Sequence, residues 1–185
     1  MTTLMFPIGH CLGTYYASTT DSHVQQVRLG GEIVGLTDEE FAVWSLAHGL
    51  ADDRSRWDRQ RIAELLAGSE IPDCIDQLLA RNLLAEVDLD SPADFAARHR
   101  LLPLHLGLGN SPEVTAVFRS GTTELPLAGM TRTLYDLWLS GHLSPNLLVA
   151  CKAHNAELPA VLTSLHALLS PSAACLDLAT IEEQP

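Results

Sequence analysis

Lysine is nearly missing from this chain: Lys152 is the only one in 185 residues. With arginine, the cations number 11 against 23 acids, a formal charge of −12. Domains that bind nucleic acid present a basic face, because phosphate contacts supply most of their affinity. The balance therefore counts against DNA and RNA as partners. Splitting the chain at Asp90 sharpens this. Residues 1–90 hold six arginines and fifteen acids, giving −9; the remainder holds five cations and eight acids, giving −3. There is no run of about 18 apolar residues, so neither a membrane-spanning helix nor a membrane partner is expected. The opening MTTLMFPIGHCLG has no basic n-region and no long apolar stretch, so it does not read as a signal peptide, and a cytoplasmic protein is expected. The four cysteines, Cys11, Cys74, Cys151 and Cys175, contain no CxxC pair. Reduced thiols packed in a core are the plain reading.

What the chain does have is apolar periodicity, with 46% apolar residues and a length suited to two units of about 90 residues. The organising stretch runs from Ile71 to Leu89. Ile71, Cys74, Ile75, Leu78, Leu79 and Leu83 recur at helical spacing, with Asp73, Asp76, Gln77 and Arg81 on the other side. The pattern then alternates through Leu84 to Leu89, which reads as a strand. Leu158 to Leu178 repeats this arrangement: Pro72 matches Pro159, Leu78 matches Leu165 and Ala80 matches Ala167. Residues 101–109, LLPLHLGLG, repeat the opening LMFPIGHCLG, and Val114 and Val117 echo Val24 and Val27.

These matches predict an α+β fold of tandem winged helix-turn-helix domains. Each is a three-helix unit with a small antiparallel β-hairpin or wing. Domain one spans 1–90 and domain two 101–180; a connector helix spans 91–100, and 181–185 form a frayed tail. In the first copy, residues 23–36 read as a hairpin turning at Gly30-Gly31. Thr37 opens helix one with a capping box to Glu40, and Gly49 stops it. Trp57 to Leu66 is helix two, closed by Gly68-Ser69. Helix three starts near Pro72. In the second copy, the hairpin spans Phe118 to Leu127 with its turn at Ser120-Gly121. Helices follow over Met130–Ser140, Pro145–Ala153 and Pro159–Leu169.

Candidate chemistry is sparse. Cys151 and His154 are spaced CxxH, half of a zinc site, but closed structural zinc takes four ligands. His10 and Cys11 supply the rest only if the N-terminal arm packs on the second domain. Two ordinary helix side chains are the simpler reading, so no metal and no cofactor is expected. Adjacent strand residues point to opposite faces, which leaves His10 badly placed to activate Cys11. The nearby hydroxyls of Thr14, Ser18, Thr19 and Thr20 raise the same question and meet the same lack of an oriented base. The G-x-G at 107–109 lacks the spacing of a dinucleotide fingerprint. Arg54, Arg56, Arg59 and Arg61 form the only basic cluster, and Asp52, Asp53 and Asp58 are interleaved with it. Local charge pairing explains them. The alternative is a winged-helix transcriptional regulator whose homodimer gathers these arginines against DNA.

The strand GEIVGL, helix one closed by Gly49, the IAEL of helix two and LLARNLL before the wing together cover about 65 residues. This order resembles PqqD-like domains, the winged-helix elements that recognise precursors in ribosomal peptide maturation. The resemblance implies a non-enzymatic accessory module that binds a protein or peptide, either a precursor peptide or a partner enzyme. In that mode the peptide adds as a strand to the hairpin edge and lies against helix three. Carried onto this chain, the implied groove is lined by Val27, Leu29, Ile33, Ile75, Leu78 and either Gln77 or Arg81.

Overall fold

The computed structural model describes residues 2–18, 22–51, 53, 56–66 and 71–180. In chain order the first half contains β1 (Thr3–Pro7), β2 (His10–Tyr16), β3 (His23–Leu29), β4 (Glu32–Leu36), α1 (Asp38–Leu46), α2 (Arg59–Leu66), α3 (Ile71–Ala80) and β5 (Leu84–Asp88). A connector, α4 (Ala93–Arg98), leads into β6 (His99–Pro103), β7 (Leu106–Ser111), β8 (Val114–Gly121) and β9 (Pro126–Met130). Then come α5 (Arg132–Ser140), a 3-10 turn (Gly141–Leu143), α6 (Leu147–Ala153), α7 (Leu158–Ser164), α8 (His166–Leu169) and β10 (Ala174–Leu178). Arg54, the helix stop at Gly68-Ser69, Thr19, Thr20 and the tail at 181–185 lie outside the described residues.

The tandem winged-helix expectation is overturned. Among the described residues there are eight α-helices and ten strands, and the strands form four small antiparallel sheets. A wing is a hairpin hung on the third helix. Here the strand after the third helix makes no hairpin. β5 returns to pair with β1, and β10 pairs with β6. The expected hairpin is a three-stranded meander, β2-β3-β4, and the second half has its own, β7-β8-β9. The expected turn at Ser120-Gly121 is absent because β8 runs through both residues. Glycine is needed there because a Cβ would strike the backbone of Leu125 to Leu127.

Local chemistry fixes the same landmarks in each half. The Thr37 hydroxyl accepts from the Glu40 amide, and the Glu40 carboxylate accepts from the Thr37 amide, completing the capping box. Thr131 caps α5 in the same way by accepting from the Leu134 amide. Seven residues beyond each threonine stands a buried tryptophan whose indole N–H reaches a carbonyl: Trp44 to Ile8 at 3.1 Å and Trp138 to Ala173 at 3.0 Å. Each meander has a bulge at a left-handed glycine, Gly13 (φ 95°) and Gly109 (φ 69°). On the central and outer strands, Val24 lies over Gly35 and Val117 over Gly129, so closely that a Cβ on either glycine would collide with the valine. Val24 thus corresponds to Val117, not to Val114. The last helices close alike as well. Leu83 donates to the Leu78 carbonyl past Asn82 (φ 57°), and Ala173 donates to the Leu168 carbonyl past Ser172 (φ 56°). Leu78 therefore corresponds to Leu168, not to Leu165.

Two apolar cores result. The first holds Met5, Val27, Leu36, Trp44, Trp57, Ile75 and Leu78. The second holds Trp138, Leu162, Leu165 and Leu176, and it recruits Leu4, Phe6, Ile8 and Val87 from the first half. β1 is therefore a shared wall, with Met5 turned to one core and Leu4 and Phe6 to the other, as strand alternation dictates. Phe6 stacks on Phe95 and His166, with centroids 5.6 and 4.8 Å away. Polar contacts tie the same seam. Fully buried Asp177 accepts from Arg28 Nη1 at 2.8 Å and from the amides of Gly30 and Leu178 at 2.7 and 2.9 Å.

Two outcomes follow from this packing. Phe6→Ala should cost about 3–5 kcal/mol and lower the stability of both halves together. Urea unfolding followed by tryptophan fluorescence and far-ultraviolet circular dichroism should show one coincident transition; two separated transitions would contradict the shared wall. Ser120 occupies the position that Val27 holds in the first meander, and its buried hydroxyl has no hydrogen-bond partner. Ser120→Ala removes an unpaired polar atom, so the urea midpoint should hold or rise, by up to about 1 kcal/mol of stability.

Candidate peptide-binding surface

The six residues that the resemblance assigns to a groove do not share one open surface. Val27, Ile75 and Leu78 are fully buried in the first core. Leu29 is half-buried and packs against both cores. Ile33 is 63% exposed and pairs across the ladder with Arg28, on the face of the meander turned away from Val27. Gln77 is exposed on α3. Arg81 spans the gap itself, donating from Nη1 to Glu40 at 2.6 Å and from Nη2 to the Gly35 carbonyl at 2.9 Å. The space between β4 and α3 thus has core side chains for its floor and a guanidinium across its mouth.

Two of the four arginines in the cluster are also committed. Arg59 pairs with Asp76 and Arg61 with Asp53. The Arg59 guanidinium, by direct hydrogen bonding, holds the Asp76 carboxyl below the usual carboxylate range. Arg56 is exposed. Arginines bonded to carboxylates are poorly placed to neutralise a phosphate backbone.

The cysteines are poor nucleophiles where they are buried. Burial pushes the Cys151 thiol up to about 11, and burial together with the nearby Asp177 carboxylate pushes Cys175 up to about 12. His154 contacts the Ser140 hydroxyl at 3.2 Å. Among the described residues no group of three or more His, Cys, Asp or Glu is placed to hold a metal ion. The G-x-G at 107–109 serves β7. Tyr135 fills the space where a Gly107 side chain would stand, and its hydroxyl accepts from the Gly109 amide at 3.2 Å.

Two features escaped the sequence reading. One is a cavity of about 660 Å³ where the halves meet, lined by Leu4, Leu50, Trp57, Leu127, His166 and Pro171 among others. His166 is mostly buried there, and its Nε2–H donates to the Met5 carbonyl at 3.0 Å. Burial lowers its pKa to about 4, so the ring is neutral near pH 7. The other is the exposure of the two meanders. Leu12, Tyr15 and Tyr16 on β2 are 45, 55 and 68% exposed, and Leu106, Leu108, Val114 and Val117 are exposed on β7 and β8. The signal that could have found them is chemical: neither HCLGTYY nor LGLGNS carries a formal charge, and each ends its sheet.

Comparison with protein-family models, with curated proteins and with solved structures finds no match. No helix is long and apolar enough to cross a membrane among the described residues.

The neutral His166 makes stability depend on pH. Its folded pKa, about 4, lies below the ordinary value of 6.5. The unfolded chain therefore binds the extra proton between those values, and stability falls as pH drops through that window. The loss should approach about 3 kcal/mol, at about 1.4 kcal/mol per pH unit. His48 and His99, whose pKa values burial also lowers, add to it in the same direction. His166→Gln keeps a donor for Met5 and cannot titrate. Its urea midpoint should fall less between neutral and acid pH than that of the parent; equal falls would remove His166 from the account.

Proposed function

We propose that this chain is a non-enzymatic protein- or peptide-binding module. It takes an extended basic peptide, from a precursor or from an exposed segment of a partner protein, as an added strand on β2. The observation that supports this reading is the outer edge of β2, a charge-free strand that exposes Leu12, Tyr15 and Tyr16 within seven residues. An open strand edge offers a row of main-chain donors and acceptors, and alternate side chains give selectivity. Tyrosine supplies large contact area at small entropic cost.

The surrounding charge selects the sequence that binds. The first half carries −9, and Asp38, Glu39 and Glu40 open the helix that follows the β2-β3-β4 meander. A peptide with cations between its apolar positions is drawn to such a field, and an acidic one is repelled. The ion pairs of Arg59, Arg61 and Arg81 work against a phosphate-binding reading.

Fluorescence anisotropy with two labelled peptide sets tests this. One set alternates apolar residues with lysine, the other with glutamate. The lysine set should bind with a Kd of roughly 1–100 µM, more weakly as salt rises. Leu12→Lys and Tyr15→Lys, both on the surface, should each weaken binding at least about tenfold, since each removes an apolar anchor and sets a like charge against the peptide. Binding of neither set, or binding indifferent to both substitutions, would sink the proposal.

A further inference from the structure

The two meanders share a plan and differ in what surrounds them. β7, the counterpart of β2, is the outer strand of its sheet and carries no formal charge from Leu106 to Ser111. Beyond Phe118, β8 loses its second neighbour, because β9 pairs only with Phe118 to Gly121. The outer part of the β7-β8 hairpin is therefore a two-stranded ribbon whose residues from Pro112 to Val117 are all exposed. A ribbon of two strands is marginal in water by itself. An edge strand without charge, carrying exposed leucines, lacks the charged residues that usually guard an edge, and the bulge at Gly109 is the guard it keeps.

We propose that the β7 edge is a self-association surface: a second copy of this chain pairs antiparallel through its own β7, joining two meanders into one six-stranded sheet about a twofold axis. The charge pattern selects this occupant. In a twofold strand pair, the residues near the axis face their own copies. Any charge there meets its like, which destabilises the pair. β7 has none to oppose. Contact through β7 brings together the halves that carry −3 each, whereas contact through β2 would bring together those that carry −9. A basic peptide would prefer the more acidic half for the same reason. Gly9, the residue before β2, donates to the Leu176 carbonyl at 2.7 Å, so β10 stands beside the entry to that strand. β4 is closed by the guanidinium of Arg81 on the Gly35 carbonyl. The edge is short, so the contact falls in the small, weak class of interfaces, below about 1,200 Å².

This surface is independent of peptide binding at β2, and sedimentation velocity on the full chain tests it. Between about 5 and 200 µM the sedimentation coefficient should rise toward that of a dimer, and more so at higher salt, where repulsion between acidic bodies is screened. Leu106→Lys and Leu108→Lys should each weaken self-association at least about tenfold, since each sets like charges across the axis. Leu12→Lys, at the position in β2 that corresponds to Leu108, should leave it unchanged. Circular dichroism establishes that each variant is folded, and two β7 variants guard against one failing to fold. A monomer throughout the concentration range overturns the proposal. So does a dimer that persists in both β7 variants, or one that Leu12→Lys abolishes.

Discussion

Strand β1 belongs to two cores at once, and the rest of the molecule is arranged to allow it. A strand in a two-stranded sheet has two faces and no third neighbour, so both faces can be buried only if something packs on each. The first half covers the Met5 face with Trp44, Trp57 and Ile75. The second half covers the face of Leu4 and Phe6. Neither half could expose that strand in isolation without leaving several large apolar groups in water, at about 1.5–3 kcal/mol each. The polar seam reinforces this dependence. Asp177 is fully buried, and its partners Arg28 and Gly30 come from the opposite half. A buried carboxylate deprived of its partners is costly. That contact therefore sets how the halves meet more than it adds net stability.

The repeated plan shows which positions the framework demands. Thr37 and Thr131 start helices, Trp44 and Trp138 bond carbonyls at strand ends, just after β1 and just before β10, and Gly13 and Gly109 carry bulges. These recur because backbone geometry requires a cap, a filled volume or a left-handed residue at that point. Positions freed from such demands have diverged. Val87 faces the second core in one half, while Asp177 at the matching place in the other makes the polar seam. Val27 fills the first core; Ser120, its counterpart, is buried with an unpaired hydroxyl.

Much of the element order could be read from the residues, because it rests on local chemistry. The Thr37 capping box, the three helical stretches of the first half and the strand after α3 follow from caps and periodicity. Strand partners did not, because pairing between β1 and β5 is a long-range event that leaves no mark in either segment. A helix trio followed by a strand reads the same whether that strand forms a wing or goes home to the N-terminus. The slip in matching Leu78 with Leu165 has a similar cause. A helical stripe shifted by three residues falls on nearly the same face, so apolar spacing alone cannot fix register. The closing turns at Asn82 and Ser172 fix it, since only one residue per helix end takes the left-handed conformation. Most of the groove residues that the resemblance implies are apolar, and in a small domain such positions are the core. The edge strands leave little trace in the sequence for the opposite reason: they are short, and their distinguishing feature is the charge they lack.

Charge decides which of those edges remain open. Arginine is scarce here, and the structure spends four of its ten internally: Arg28 on Asp177, Arg59 on Asp76, Arg61 on Asp53, Arg81 on Glu40. Each pair joins separate segments, so the cations act as ties within an acidic body. Arg81 does this at β4, where its guanidinium also takes a strand carbonyl and closes that edge against a newcomer. Among the described residues no charged side chain bridges β2 or β7; Tyr135 takes the Gly109 amide of β7, and both strands expose tyrosine or leucine. An acidic protein that neutralises one edge with its own arginine, and leaves the two equivalent edges uncharged and apolar, has separated strands that must stay closed from strands available for contact. On the binding proposed above, the unequal charge of the halves would give the two edges different partners from one repeated shape.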